Sequence, residues 1–367
     1  MRAAAEARQD GLDVLRAVAI LLVLCFHSPE AVRNVLPPVL VPAFTLGWMG
    51  VDLFFVLSGY LIGRQVFATR EDLPLGARLR TFWVKRWTRT LPLYLVVLGT
   101  YAVLKPLVFK APFLGGGWHF ALFLQNYSAL RDFVQSWSLC VEEHFYLVLP
   151  LLAFGLRGQR WPAWVWLMPM AVSVLGRALL VGVIPSSPPV REWLAAYPWG
   201  THLHLDGLSV GVFLARTAPR WRTWPARWKA ASTVLGLGVL AVTLGLYGAT
   251  VLGHTYLGLY PGLSAGFGLL LVGMESWRLP TGPRRAVYAV AVTSYGAYLW
   301  HGLLVRVFER SHFTLGIWAL DLLVFFAATL LVSWVTYVAI EKPGLRLRNW
   351  LLAREEPGQV PGKPGYS

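Results

Sequence analysis

The sequence predicts an all-α membrane protein with about ten transmembrane helices, since one span takes about 20 apolar residues. Of its 367 residues, 56% are hydrophobic and 14% are charged, whereas a soluble domain has about 25% charged residues. The mean hydropathy is +0.54. Long apolar stretches recur along the whole chain, and we expect them to be helices because only helices and closed barrels satisfy the backbone inside lipid.

The apolar stretches also predict the topology. A further stretch, 118–126, is too short to cross and is expected to be re-entrant or interfacial. Lys and Arg concentrate on the side of the N-terminus, above all in segment 64–89, which predicts that both termini are cytoplasmic. The expected location is the inner (plasma) membrane, crossed many times. The predicted spans are 12–28, 46–66, 91–109, 138–156, 163–184, 203–215, 230–248, 256–274, 287–305 and 316–339.

One membrane domain is expected over 1–348, followed by a disordered cytoplasmic tail over 349–367, where Pro and Gly are frequent. The formal net charge of +15 does not indicate a nucleic-acid partner, because the cations fall into loops between apolar spans. The partner that composition predicts is the lipid bilayer. With two cysteines, Cys25 and Cys140, the chain has neither a disulfide framework nor a cysteine-based metal site.

The first span contains an arginine and a histidine on one face. Arg16 and His27 are eleven residues apart, which returns the helix to within roughly 20° of its starting direction and separates them by about 16 Å along the axis. An arginine in an apolar segment is costly, so Arg16 should face protein, a cavity or a ligand. This pair is the first indication of chemistry inside the membrane.

A cluster of cations precedes the third span. Lys85, Arg86 and Arg89 serve either to retain positive charge on the cytoplasmic side or to bind an anion. The spacing of Arg86 and Arg89 places two guanidinium groups on one helical face, where they can bind phosphates bidentately.

Carboxylates interrupt the apolar second and fourth spans. Asp52 begins the second span near the depth of His27, either as an N-terminal carboxylate that faces the helix dipole or as part of a site. Glu142 and Glu143 open the fourth span, and Glu142 shares a face with Tyr146. They form either a buried polar network or, for Glu142, the orienting group of a histidine base. We expect Glu142 in one layer with His27 and Asp52.

Other histidines carry weaker signals. His301 falls in the outer half of the ninth span, as a packing residue or a site residue. His202, His204 and Asp206 superficially resemble metal ligands, but residues two apart point to nearly opposite sides of a helix. No metal is therefore expected.

Taken together, these motifs resemble the bacterial integral-membrane acyltransferase family 3, whose members O-acylate sugars and related compounds. The resemblance covers about residues 10 to 348, with the motifs in family order. The matching motifs are Arg16-x10-His27, the block 50–60, Arg86-x2-Arg89-x2-Pro92, Trp137-Ser138-Leu139-x2-Glu142-x2-Phe145-Tyr146, Asp206-x4-Gly211, Tyr298-Leu299-Trp300-His301 and Glu341-Lys342-Pro343.

The resemblance implies an enzyme that moves an acyl group, by default acetyl, from cytoplasmic acyl-CoA to a hydroxyl of a carbohydrate or glycosylated small molecule. It implies no permanently bound cofactor. The implied catalytic residues are His27 and Glu142. The residues implied for the donor are Arg16, Lys85, Arg86 and Arg89. Those implied for the acceptor are Asp52, Trp137, Ser138, Tyr146, Asp206 and His301.

Two other functions fit part of the pattern. Intramembrane Arg, Asp, Glu and His also mark transport paths, so an exporter of a modified glycan or small acid is the main alternative. A structural partner protein with a degenerate site is the second. Product formation that depends on CoA would separate the enzyme from the transporter.

Overall fold

The computed structural model describes residues 9–353 apart from 111–112, 114–116, 129–131, 186 and 248–254. Over these residues the chain is helical and has no strand. Two π-helical segments, Leu151–Gly155 and Tyr337–Glu341, continue the helices before them. The α-helices are α1 (Asp10–Phe26), α2 (Glu30–Arg33), α3 (Val41–Thr45), α4 (Gly50–Ala68), α5 (Leu75–Leu107), α6 (Gly117–Ala121), α7 (Trp137–Pro150), α8 (Met168–Leu180), α9 (Pro188–Ala196), α10 (Asp206–Trp221), α11 (Ala226–Tyr247), α12 (Thr255–Met274), α13 (Thr281–Ser311), α14 (Trp318–Thr336) and α15 (Lys342–Ala353).

Seven helical segments of the described chain are long and apolar enough to cross a membrane. This supports the predicted multi-pass, all-helical membrane protein, while the count of about ten and the orientation of the termini stay predictions. The seven segments are Gly47–Ala68, Leu75–Leu107, Val134–Gly155, Ala163–Leu180, Ala226–Leu246, Tyr256–Met274 and Trp318–Ala353.

The expected spans 12–28, 203–215 and 287–305 fall on α1, α10 and α13, which are not among those seven. These helices have polar side chains directed into the protein, among them Asp13, Asp206 and His301, all buried. α1 packs on α4 and α13, and α10 packs on α4 and α12. α1 and α10, with 17 and 16 residues, are also shorter than any of the seven segments.

Glycines bring α4 and α10 into close contact. A Cβ at Gly59 would lie 2.2 Å from the carbonyl oxygen of Leu208, and one at Gly211 would lie 2.3 Å from that of Val56. Only glycine fits at such a backbone approach. This contact holds α4, which carries several candidate site residues, in a fixed position.

The segment before α7 folds into the protein. It consists of α6 and the short 3-10 helices Gln125–Tyr127 and Val134–Ser136, so it is too short to span, as the sequence predicts. Gln125 and Asn126 are each 1% exposed. The Gln125 amide donates to the Tyr94 hydroxyl at 3.2 Å, and Tyr94 donates to the Phe120 carbonyl at 3.0 Å. These bonds anchor the segment to α5.

The C-terminal helix extends into the first residues of the predicted tail. Residues 349–353 belong to α15, which packs on α5. A Cβ at Gly344 would lie 2.5 Å from the Thr88 carbonyl oxygen, so glycine permits this close packing and the helix continues. The remainder of the predicted tail, 354–367, lies outside the described residues.

Candidate active site

α1 places its arginine and its histidine at opposite ends. Arg16 lies within the helix and His27 caps its C-terminus. The Nδ1 atom of His27 is 3.0 Å from the Val23 carbonyl oxygen. Because a carbonyl can only accept, Nδ1 carries the proton, which leaves Nε2 with its lone pair available.

Arg16 lines a cavity with ≈ 820 Å³ of empty volume, part of it open to solvent, which we call the arginine cavity. Three of its side chains are cationic and one is a carboxylate, and hydroxyl groups line much of the remainder. Its lining residues are Arg16, Val51, Phe54, Phe55, Leu57, Ser58, Leu61, Arg86, Arg89, Thr90, Ser138, Leu139, Glu142, Tyr146, Ser294, Tyr295 and Tyr298.

The cations of this cavity come from two helices. Arg16 donates to Asp13 at 3.3 Å, one turn earlier on α1. Arg86 and Arg89 lie on α5, and the Arg86 guanidinium sits 5.4 Å from the centre of the Tyr146 ring. Lys85, which the resemblance groups with them, does not line the cavity. Three guanidinium groups facing one space make it suited to an anionic ligand.

Glu142 also lies in the arginine cavity, with Ser58 and Tyr146. The hydroxyls of Ser58 and Tyr146 are 2.5 Å apart, and both interact with the Glu142 carboxylate. The expected layer with His27 and Asp52 is therefore not observed for Glu142. The buried segment before α7 starts this helix deep in the protein, so its first turn already reaches the arginine cavity.

His27 lies in a second cavity, which we call the histidine cavity and which has ≈ 1510 Å³ of empty volume, part of it open to solvent. Aromatic rings and two imidazoles dominate its wall, which also contains charged side chains. Its lining residues are Phe26, His27, Arg33, Trp48, Val51, Asp52, Val134, Gln135, Trp137, Trp199, Tyr260, Tyr298, His301, Gly302, Val305, Arg306 and Glu309.

Two histidines lie side by side in this cavity. The ring centres of His27 and His301 are 4.8 Å apart, and the Tyr298 ring is 5.6 Å from that of His301. The His27 ring is oriented by a backbone carbonyl and by packing on His301. Of the two carboxylates expected to orient it, Asp52 lines the same cavity and Glu142 lines the other.

The two cavities are adjacent, since Val51 and Tyr298 line both. We call these two side chains the partition. The Tyr298 hydroxyl donates to the Gln135 carbonyl at 2.9 Å. The Ser138 hydroxyl lies 2.5 Å from the Tyr298 hydroxyl and 3.4 Å from the same Gln135 carbonyl. On the side of the histidine cavity the first residue of α7, Trp137, packs edge-on against Phe55 at 6.0 Å.

Asp206 lines neither cavity. Its two carboxylate oxygens accept from Arg177 at 2.8 and 2.7 Å, and the same guanidinium donates to the Leu203 carbonyl at 2.7 Å. Arg177 also lies over the rings of Tyr256 and Tyr260, at 5.9 and 5.1 Å. Sequence reasoning missed this pair, although an arginine in an apolar helix was a usable signal.

The remaining polar residues of that region are occupied by other contacts. A ring nitrogen of His204 is 2.9 Å from the Pro198 carbonyl, and one of His202 is 3.0 Å from the Tyr127 hydroxyl. Across the described part of the chain, no group of three His, Cys, Asp or Glu side chains could hold a metal ion.

Comparison with known proteins gives three related findings. The family model described as an acyltransferase domain matches residues 9–338. The peptidoglycan O-acetyltransferase OatA of Listeria monocytogenes is 25% identical over 94% of this chain and 59% of its own length. A "Putative O-acetyltransferase" of Staphylococcus aureus is 25% identical over 93% of this chain and 58% of its own. The chain therefore spans less than two thirds of these relatives. No solved structure matches.

Proposed function

We propose, because this chain belongs to the acyltransferase family, that it is a membrane-bound O-acetyltransferase that moves an acetyl group from acetyl-CoA to a hydroxyl of a cell-surface carbohydrate. One observation carries the proposal. A cationic cavity that contains Arg16 and a cavity that contains His27 meet at a shared partition. An anionic donor and a neutral hydroxyl acceptor need two different binding sites. The two sites have to be adjacent at the point where the acyl group is transferred from donor to acceptor.

The arginine cavity takes the donor. CoA carries several phosphate charges, and guanidinium groups bind phosphate through paired, charge-assisted hydrogen bonds. Arg16, Arg86 and Arg89 outnumber the single carboxylate, Glu142, among the lining side chains. The phosphates lie against Arg86 and Arg89. The slender pantetheine arm extends past Arg16 toward the partition, over a distance of about 16 Å between the levels of Arg16 and His27.

The histidine cavity takes the acceptor. Sugar rings have apolar faces and polar edges, and the cavity offers indole rings at Trp48, Trp137 and Trp199 with a carboxylate at Asp52. The relatives OatA and YrhL, the latter of Bacillus subtilis and 29% identical over 58% of this chain, carry peptidoglycan O-acetyltransferase in their names. Both the chemistry and the relatives support a cell-wall or other surface glycan as acceptor.

His27 performs the transfer. Its Nε2 accepts the proton of the acceptor hydroxyl, and the oxygen attacks the acetyl carbonyl carbon. A C–O bond forms, the C–S bond breaks, and the CoA thiolate leaves with the proton that the imidazolium returns. The same nitrogen can instead take the acetyl group first and pass it to the acceptor oxygen. In both routes the Val23 carbonyl holds the required tautomer.

The test is acetyl transfer by purified protein in proteoliposomes supplied with labelled acetyl-CoA and cell-wall glycan fragments. We expect label in a base-labile ester, and a loss of about 10²–10⁴-fold in rate for His27→Ala. The matched control is His312→Asn, which alters an exposed histidine with a left-handed backbone conformation that asparagine tolerates.

Two results would contradict the proposal. One is wild-type turnover by His27→Ala at wild-type protein levels. The other is movement of unmodified glycan across the vesicle membrane without CoA and without ester formation, which would favour the exporter. The exporter is included in the test because two adjacent cavities could also form a path for a transported substrate.

A further inference from the structure

We propose that Val51 limits the length of the acyl group that this protein transfers, an inference that rests on the proposed function. Val51 and Tyr298 are the residues common to the linings of the two cavities. An acyl group that passes from a donor in one cavity to an acceptor in the other has its carbonyl carbon at this partition. The rest of the acyl chain then has to fit beside these two side chains.

Tyr298 cannot easily move aside. Its hydroxyl donates to the Gln135 carbonyl at 2.9 Å and lies 2.5 Å from the Ser138 hydroxyl. Its ring lies between Phe54, with ring centres 6.3 Å apart, and His301 at 5.6 Å. Tyr298 is therefore the fixed residue of the partition.

Val51 is the second residue of the partition, and its backbone is held in place by α1. The preceding residue, Gly50, is so close to α1 that a Cβ there would lie 2.4 Å from the Ala19 carbonyl oxygen and 3.1 Å from Val23. The backbone at Val51 therefore cannot retreat toward α1. Since valine is β-branched and stiff at χ1, the two methyl groups of Val51 set the width of the opening at the partition.

The wall on the side of the arginine cavity is mixed. It contains Phe54, Phe55 and Leu139, and also Ser138, whose hydroxyl is 2.5 Å from that of Tyr298. The alkyl part of an acyl chain has no polar group that could bind these hydroxyls. Selection among acyl groups is therefore steric. An apolar pocket discriminates between chains that differ by one methylene by about 10–200-fold in kcat/KM. Removal of two methyl groups at the opening should relax that discrimination by a similar factor.

The experiment compares acetyl-CoA, butyryl-CoA and hexanoyl-CoA as donors for purified wild type, Val51→Ala and Val51→Leu. We expect Val51→Ala to raise the butyryl-to-acetyl ratio of kcat/KM by at least about 10-fold. Val51→Leu should lower that ratio. The matched control is Val56→Ala, which removes the same atoms from a fully buried residue of α4 that lines neither cavity.

The outcomes separate this inference from the proposed function. If wild type acetylates glycan and Val51→Ala keeps the wild-type ratio, Val51 does not limit acyl length and the acetyltransferase function stands. The same holds if Val56→Ala shifts the ratio as much as Val51→Ala, since the effect would then come from loosened packing. If wild type forms no ester from any of the three donors, the function fails and this inference with it.

Discussion

Two regions of the molecule each bury an arginine, and they use it differently. In the core beside α10, Arg177 is wholly buried and makes three hydrogen bonds, two of them to Asp206. At the arginine cavity, the side chain of Arg16 is 22% exposed, and its bond to Asp13 is 3.3 Å long. The two terminal nitrogens of the Arg177 guanidinium both donate to protein oxygens, while Arg16 is directed into an open space.

The difference shows which charged side chains are available for chemistry. A buried ion pair such as Arg177 and Asp206, joined by two hydrogen bonds, serves architecture, because removal of either partner leaves an uncompensated charge. A cation that faces a cavity together with two others, Arg86 and Arg89, is arranged for a ligand. The same reasoning assigns Asp206 to the framework, in contrast to Asp52, which lines the histidine cavity.

The largest expected effect is on stability. Arg177→Met should lower the free energy of unfolding by about 3–5 kcal/mol, because Asp206 would remain buried without its partner. Arg16→Met, the same substitution at the cavity, should cost about 1 kcal/mol or less, since the single hydrogen bond that is lost is long, at 3.3 Å. Both values can be measured by denaturant titration of the detergent-solubilised protein.

The double variant Arg177→Met with Asp206→Leu serves as the control for this comparison. It should recover most of the lost stability, because the pair is replaced by apolar side chains. If Arg16→Met destabilises the protein as strongly as Arg177→Met, the distinction between a framework arginine and a ligand arginine is wrong.

The next effect concerns the donor. Replacement of both Arg86 and Arg89 by glutamine should raise the KM for acetyl-CoA by at least about 100-fold, because hydrogen bonds to charged groups contribute about 1.5–3 kcal/mol each and two are lost. The stability of the fold should change little. Arg80→Gln, on the exposed part of α5 outside the cavity, should leave KM unchanged. An unchanged KM in the double variant would remove the donor role of this pair.

The smallest effect is expected at the surface. Glu71 accepts from Arg160 at 2.9 and 2.6 Å, and this hydrogen-bonded pair lowers the pKa of the exposed Glu71 carboxyl. The small stabilisation is present above the ordinary pKa of glutamate and is lost as the pH falls through the lowered value. Glu71→Gln should therefore show no measurable change in unfolding at neutral pH. A large change in the free energy of unfolding for Glu71→Gln would mean that exposed ion pairs also stabilise this fold, contrary to the distinction drawn between buried and exposed charges.

Part of the site could be predicted from the sequence because it depends on local geometry. Helical periodicity predicts that Arg16 and His27 share a face at different depths, and it pairs Arg86 with Arg89 on α5. The structure places Arg16 and the α5 arginines in one cavity and His27 in the next. The spacing of these residues within one helix was sufficient to predict their relative positions.

Contacts between distant segments could not be predicted in the same way. Arg177 and Asp206 are 29 residues apart and belong to different helices. The depth of Glu142 depends on the buried segment before α7, whose anchoring bond from Gln125 to Tyr94 is likewise tertiary. No local pattern reports such packing. The spacing of motifs in one sequence therefore places residues along each helix but does not specify which helices meet.

The central claim is that α1 serves two sites, a donor site at Arg16 and a transfer site at His27. It is tested most directly by isothermal titration of CoA into purified wild type, Arg16→Gln and His27→Ala, with acetyl transfer measured on the same samples. We expect Arg16→Gln to weaken CoA binding by about 10-fold, and His27→Ala to abolish transfer with CoA affinity unchanged. Equal loss of CoA affinity in both variants, or full transfer by His27→Ala, would contradict the account.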